Sequence, residues 1–350
     1  MTNIGFIGCG KVVETRHLPA LHHLEEANVV ALADVDPSRL DRIGRITGAE
    51  HRYQDYHRLL DNPNVEVVSI CTPVGLHAKF CIAALKANKH VLIEKPMALD
   101  LGECDAMINQ ARASDCHVMV GFNMRWHRLM QQARRWVETG RLGRIKAIRS
   151  SFSSKFHGDE PGWTNRRQSG GGILVEMAIH HFDLWRFLLQ HDIEHVYARS
   201  QSGAWQDESA VVAAQMSDGV LAEGTFVKGT GESNEIRIYG EQGILNVSAY
   251  RFDGIRFTPA AANPGKVTNR IQDVVQTITM LPGGLPTIRR GGGYLESFHN
   301  EWQHFLKCVR TDRHPAVSLE DSRQSTADLL AVLHSADSGM VTKPDRCSPA

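Results

Sequence analysis

Residues 170–183 read GGGILVEMAIHHFD. Read as a helix, the stretch puts Glu176, His180 and Asp183 at i, i+4 and i+7, on one face. A histidine between two acids is suited to acid–base work, because its unperturbed pKa of ~6.5 lies near neutrality. Leu174, Met177, His181, Leu184, Trp185 and Leu188 fall broadly on the other side, so His181 leans toward packing. A shared metal ion is disfavoured. Neighbouring residues on a helix point ~100° apart, and the paired-histidine zinc pattern HExxH does not occur. The expectation is no bound metal. The plain alternative is a buried, hydrogen-bonded His180 with Glu176 as a helix-surface acid.

A second constellation lies near the N-terminus. GFIGCGKVVETRH places Gly8-x-Gly10 directly after an apolar run. One glycine allows a tight turn, and the next lets the backbone approach a pyrophosphate at a helix N-terminus. Gly8, Gly10, Lys11 and Val12 are therefore candidates to cradle a dinucleotide. Val13 stands where a third glycine is expected, so the pattern is incomplete, and a glycine-rich turn without a nucleotide is the other reading. VVALADVDP ends with Asp34, 26 residues after Gly8. An acid there suits the adenosine ribose hydroxyls and repels a 2′-phosphate. That favours NAD. Arg39 keeps NADP open, and Asp36 can be a simple cap for a helix starting at Pro37.

These residues need elements to hold them. Over the first 125 residues short, β-branched apolar runs (NIGFIG, NVVALADV, VEVVSICT, HVLIEKP, HVMVGFN) alternate with amphipathic stretches such as GLHAKFCIAALKAN. Nearly continuous apolar runs are what buried parallel strands look like. The alternation predicts a doubly wound parallel sheet of the Rossmann type. Beyond residue 125 a helical RLMQQARRWVETG leads into longer strand-like runs with tight turns: RIKAIRSSFSS, HVYARSQS, SAVVAAQMS, GVLAEGTFVKG, NEIRIYG and GILNVSAYRFDGIRF. That pattern predicts an α/β domain with a large, open, mainly antiparallel sheet. The division expected is 1–125 and 126–350. LPGGLPTIRRGGG, at 281–293, reads as an irregular loop, and two helical stretches close the chain.

Totals narrow the classes. A chain of 350 residues with equal numbers of cationic and anionic side chains, 39 of each, gives no sign of a nucleic-acid or acidic-membrane partner. Seven cysteines without a CxxC pair suggest neither a disulfide framework nor a cysteine zinc site. Reduced thiols, no N-terminal signal pattern and no apolar run near ~18 residues point to a cytoplasmic chain.

HVLIEKPMAL carries Glu94-Lys95-Pro96 at a strand end, where open α/β sheets place their ligands, and CTPVGLHAKF carries Thr72-Pro73 and His77 upstream. With the glycine turn and GGGILVEMAIHHFD, these motifs make the chain resemble the Gfo/Idh/MocA oxidoreductases from residue 4 to about 340. The resemblance implies a Rossmann domain bearing NAD or NADP, and a second domain for substrate and for oligomers. Homodimers or homotetramers would form through the open sheet face. It implies an oxidoreductase acting on a secondary alcohol of a sugar, cyclitol or related polyol. Lys95 matches the family's catalytic lysine, His180 its acid/base, and Asp183 an acid that commonly touches substrate. Glu176 stands where an aspartate is usual, and Ala178 where a glycine is common. Glu176 could still orient His180. Thr72, Pro73, His77, Glu94 and Lys95 join the cofactor residues, and Asn123, Arg125 and Trp163 the substrate residues. Arg125 could equally pair structurally, and Trp163 could pack. His17, His22 and His23 read as structural or exposed. Two further readings stay open: an NAD-dependent glycosidase using transient oxidation, and a non-catalytic NAD(P)- or sugar-sensing regulator.

Overall fold

The structure is a computed structural model and describes residues 1–155, 162–203, 205–251, 253–262 and 291–346, with scattered residues between 271 and 287. Residues 1–123 and 298–326 form one compact unit, and residues 124–297 with 327–348 form a second.

The first unit carries β1 (Thr2–Ile7), β2 (Ala27–Ala33), β3 (His51–Tyr53), β4 (Val67–Ile70), β5 (His90–Glu94) and β6 (Val118–Gly121) in the order β3-β2-β1-β4-β5-β6. Every neighbouring pair is parallel. β4 and β6 are buried at every position, which is why they read as unbroken apolar runs. β3 has three residues, too few for its pattern to show. The order reverses between β1 and β4, and ligands of such sheets bind outside the carboxyl ends at that reversal.

Its helices are α1 (Leu18–Leu21), α2 (Pro37–Thr47), α3 (Tyr56–Leu60), α4 (His77–Lys86) and α5 (Leu101–Arg112). α1 continues a helix begun at residue 11, which widens into a π turn over Val13–His17. α2 starts where the sequence places it, with Asp36 accepting the Ser38 N–H at 2.9 Å and Pro37 in the first turn.

The second unit holds α6 (Arg128–Glu138), α7 (Ile179–Leu189) and a seven-stranded sheet. The strands are β7 (Ile145–Ser154), β8 (Ile193–Gln201), β9 (Ser209–Met216), β10 (Leu221–Lys228), β11 (Ser233–Gly240), β12 (Gly243–Ser248) and β13 (Ile255–Pro259). Their order is β13-β12-β11-β7-β10-β9-β8. β7 and β10 run parallel at its centre, and the other neighbours are antiparallel. GILNVSAYRFDGIRF, expected as one run, is divided: Ser248 N–H donates to the Gly254 carbonyl at 2.6 Å, and the chain turns back to pair β13 with β12. Alternate residues of β9 and β10 are buried, so one sheet face carries a core. Phe182 and Trp185 of α7 and Phe226 of β10 are fully buried. Each such side chain contributes about 1.5–3 kcal/mol. Trp185 Nε1–H donates to Ser150 Oγ at 2.8 Å, fixing α7 to β7.

α8 (Gly293–Thr311) and α9 (Leu319–Ser338) close the chain, and the division between units falls inside each of them. The loop expected at 281–293 lies largely outside the described residues. Among the described residues, no helix is long and apolar enough to cross a membrane.

Candidate functional site

In the first unit the glycine turn follows β1 directly. Gly8 has φ +94°, and a Cβ on it would overlap the Cys71 carbonyl at the end of β4. Gly10 differs: a Cβ there would meet nothing within 4 Å, so the turn faces open space. Lys11 and Val12 begin the helix beneath that space, and Val13 is completely buried where a third glycine was expected. Asp34, just past β2, is aimed at the turn. Its Oδ2 accepts the Cys9 N–H at 2.7 Å and its Oδ1 the Asp36 N–H at 2.9 Å. Each oxygen keeps a second lone pair, the capacity a ribose diol needs. Asp36 is the α2 cap, and Arg39 is engaged with it at 3.3 Å.

Thr72 and Pro73 lead from β4 into a short 3-10 turn, Val74–Leu76. Thr72 Oγ1 is buried and, among the described residues, has no hydrogen-bond partner. The open space over Gly10 and this orphaned hydroxyl fit a bound dinucleotide. His77 is 1% exposed, with Nδ1 2.9 Å from the Pro96 carbonyl and Nε2 2.9 Å from the Thr72 carbonyl. Burial pushes its pKa down; the ring lies between the end of β4 and the Lys95–Pro96 bend, where the peptide is cis, and in its neutral form donates to one of the two carbonyls. Glu94 closes β5. Its Oε2 accepts the Lys95 N–H at 3.2 Å, and its Oε1 lies 3.0 Å from His17 Nε2. Burial alone would raise the Glu94 pKa, but His17 and Lys95 outweigh it and hold the carboxyl below its usual range. His17, read as structural or exposed, is buried against a site residue. The signal for that was its place one helix length beyond the glycine turn.

In the second unit a π turn, Leu174–Ala178, precedes α7 and carries Glu176. π turns are frequent at functional sites. His180 and Asp183 follow on α7, 4% and 1% exposed. His181 packs between Phe152 and Phe226, with ring centroids 6.1 and 5.3 Å away. Burial pushes its pKa down to about 3, so it is a neutral packing residue. Asn123 and Arg125 lie in the 3-10 turn that follows β6; Asn123 ends the first unit and Arg125 belongs to the second. Arg125 and Asp183, both proposed from sequence to meet substrate, are bonded to each other through two nitrogen–oxygen contacts of 2.8 and 2.5 Å.

Glu176 Oε2 accepts from Lys228 Nζ at 3.0 Å, and that ammonium lies 3.7 Å from the Trp205 ring centroid. Neither Lys228 nor Trp205 was anticipated. The available signal was parity: in LAEGTFVK the inward positions are Ala222, Gly224, Phe226 and Lys228, and a lysine at a buried parity needs an anion. Trp163 falls in the turn Gly162–Asn165, but its side chain lies outside the described residues.

Comparison with known proteins agrees with both halves. Residues 2–122 match the model of an oxidoreductase family with an NAD-binding Rossmann fold. Residues 130–246 match the GFO/IDH/MocA C-terminal domain. The chain is 28% identical over 338 residues to myo-inositol 2-dehydrogenase of Thermotoga maritima, covering 92% of each chain. It superposes on the crystal structure of a probable dehydrogenase from Thermotoga maritima with a TM-score of 0.78 at 26% identity, covering 97% of this chain and 98% of that one. The scyllo-inositol dehydrogenase of Lactobacillus casei, solved with NAD(H) and scyllo-inositol, shares the fold with a TM-score of 0.78 at 21% identity, over 98% and 99% of the two chains.

Proposed function

The chain belongs to the Gfo/Idh/MocA oxidoreductase family, and from that premise we propose that it transfers hydride between a nicotinamide cofactor and a secondary alcohol of a sugar, cyclitol or related polyol. The observation that carries the reading is the first unit's switch point. There the open space over Gly10, the Asp34 carboxylate and the orphaned Thr72 hydroxyl share one sheet end with Glu94 and Lys95.

Gly8, Gly10, Lys11 and Val12 line the pyrophosphate position, Asp34 accepts the ribose hydroxyls, and Thr72, Pro73, His77, Glu94 and Lys95 complete the cofactor side. NAD is the cofactor, because Asp34 supplies negative charge where a 2′-phosphate would sit and Arg39 is engaged with Asp36. Bound NAD supplies the hydride acceptor. His180 takes the hydroxyl proton, and Glu176 orients it. Lys95 stabilises the negative charge that develops on the oxygen. Asn123, Arg125, Trp163 and Asp183 shape the substrate side. Residues 1–125 serve as the cofactor domain, and the region expected from sequence at 126–350 serves substrate and self-association except for 298–326, which belong to the first unit, in a cytoplasmic homodimer or homotetramer.

The test is a panel of sugars and cyclitols with NAD and NADP, read at the reduced-nicotinamide absorbance. Lys95→Ala and His180→Ala should each lower alcohol oxidation at least ~10²-fold, the scale of lost acid–base catalysis. Near-normal turnover in both variants overturns the assignment.

A further inference from the structure

Below the Glu94–Lys95 segment the first unit buries a row of polar groups that no step above uses. Trp302 Nε1–H donates to His17 Nδ1 at 3.0 Å. An indole N–H can only donate, so Nδ1 must accept, and the ring proton sits on Nε2, facing Glu94 Oε1 at 3.0 Å. The remaining Glu94 oxygen accepts the Lys95 N–H. Donation therefore runs from Trp302 through His17 to Glu94, which also accepts from the Lys95 backbone on its other oxygen. It is dry: Trp302 is fully buried, and His17 and Glu94 expose 2% and 13% of their side chains. Phe298 and Trp302 stand edge-on to the His17 ring, with centroids 5.4 and 5.9 Å away, so the ring cannot turn.

A second carboxyl completes the arrangement. Glu301 is fully buried, and neither of its oxygens has a hydrogen-bond partner among the described residues. It lies over Gly121, where an added Cβ would be 3.7 Å from both oxygens, and Gly121 is the register partner of Glu94 across β5 and β6. Burial, reinforced by Glu94, pushes the Glu301 pKa well up. The two carboxyls are shifted in opposite directions: His17 and Lys95 hold Glu94 low, and burial with the charge of Glu94 raises Glu301. The other titratable groups facing the row are Cys71 at the end of β4, His77 of α4 and Lys95. Burial lowers the His17 pKa, but Cys71 and Glu94 outweigh it and push it well above the ordinary histidine value. The Trp302 donor opposes that rise and favours the neutral ring, since a proton on Nδ1 would face the indole N–H.

We propose that Trp302 and His17 are positioning residues for Lys95: they hold Glu94 in place, and Glu94 fixes the backbone from which the Lys95 ammonium projects. The consequence for turnover rests on the oxidoreductase reading; the arrangement itself does not. Fixing matters because a displacement of ~1 Å at a reacting group can cost ~10²-fold.

The experiment uses the full chain saturated with NAD. Nitrogen-15 NMR of the histidine rings, with His17 assigned by its loss in His17→Gln, should show the neutral Nε2–H form between about pH 6 and pH 9. In Trp302→Phe, which keeps an aromatic ring but removes the donor, His17 should titrate within that range. A doubly protonated or Nδ1–H ring in the unsubstituted chain overturns the proposal. In kinetics His17→Leu should lower kcat by ~10-fold or more while the KM for NAD moves less than ~3-fold, and His17→Gln, which retains an N–H toward Glu94, should recover most of the loss. Equal losses in the two variants overturn the proposal as well. If the unsubstituted chain oxidises no polyol, the functional reading fails, and the NMR result still decides the network.

Discussion

Arg125 grips Asp183 through two parallel bonds, Nε to Oδ2 at 2.8 Å and Nη2 to Oδ1 at 2.5 Å, with 8% and 1% of the two side chains exposed. Such a pair is costly to break and cheap to replace, because removing one partner strands a buried charge. Asp183→Leu should destabilise the second unit by about 3–5 kcal/mol in denaturant unfolding. Adding Arg125→Leu should return a large part of that loss. A strictly additive double mutant would show that the two side chains do not depend on each other.

Glu176 and Lys228 are coupled in a different setting. The ammonium is 5% exposed and the carboxylate 21%, and the ammonium also rests against Trp205. An aspartate at 176 is one methylene shorter and would fall short of Lys228. Glu176→Asp and Lys228→Met should each lower kcat/KM for alcohol oxidation by ~10-fold or more, since each frees the acid proposed to orient His180. Lys228→Met should have little further effect in a Glu176→Gln background. Full and independent losses in the double variant would assign the two residues to separate tasks.

Buried titratable groups give the stability curve a shape at both ends. His181 has its pKa pushed down to about 3 by burial, against an ordinary value near 6.5. Its contribution is complete above about pH 6.5 and is lost as pH falls toward 3, at about 1.4 kcal/mol per pH unit. His127, pushed down to about 4, acts in the same window. Glu301 has the opposite sign, because burial raises its pKa: stability is full below the ordinary glutamate range and declines as pH rises through the raised value. His181→Leu should flatten the acid limb of Tm against pH in part, and Glu301→Gln the alkaline limb. An unchanged alkaline limb in Glu301→Gln would mean that Glu301 is already ionised in the fold.

The features legible in the sequence are those with a local cause. Asp36-Pro37 starts α2 because a cap and a fixed φ act within one turn. β4 and β6 announce themselves because both faces are covered. His181 was assigned to packing by helical phase alone, and its two phenylalanine neighbours agree. Hidden features depend on partners distant in the chain. His17 meets Trp302 285 residues later, and Glu176 meets Lys228 52 residues later. Arg125, for which structural pairing stood open beside substrate contact, meets Asp183 58 residues later, a partner that neither residue announces when read alone. The π turn ahead of α7 is likewise invisible to a pattern that assumes 3.6 residues per turn.

Gly8 and Gly10 sit two residues apart and should fail for different reasons. Gly8 combines φ +94° with a would-be Cβ that overlaps the Cys71 carbonyl, so any side chain strains the backbone and forces β1 away from β4. Gly8→Ala should therefore lower the Tm of the chain without cofactor, as well as NAD affinity. Gly10 has nothing within 4 Å of its would-be Cβ. Gly10→Ala should fold with an unchanged Tm and still weaken NAD binding by ~10-fold or more, because the methyl enters the space through which the backbone approaches the pyrophosphate. Thermal unfolding of both variants, paired with titration by NAD, separates the two effects. A Gly10→Ala chain that binds NAD normally would place the pyrophosphate away from this turn.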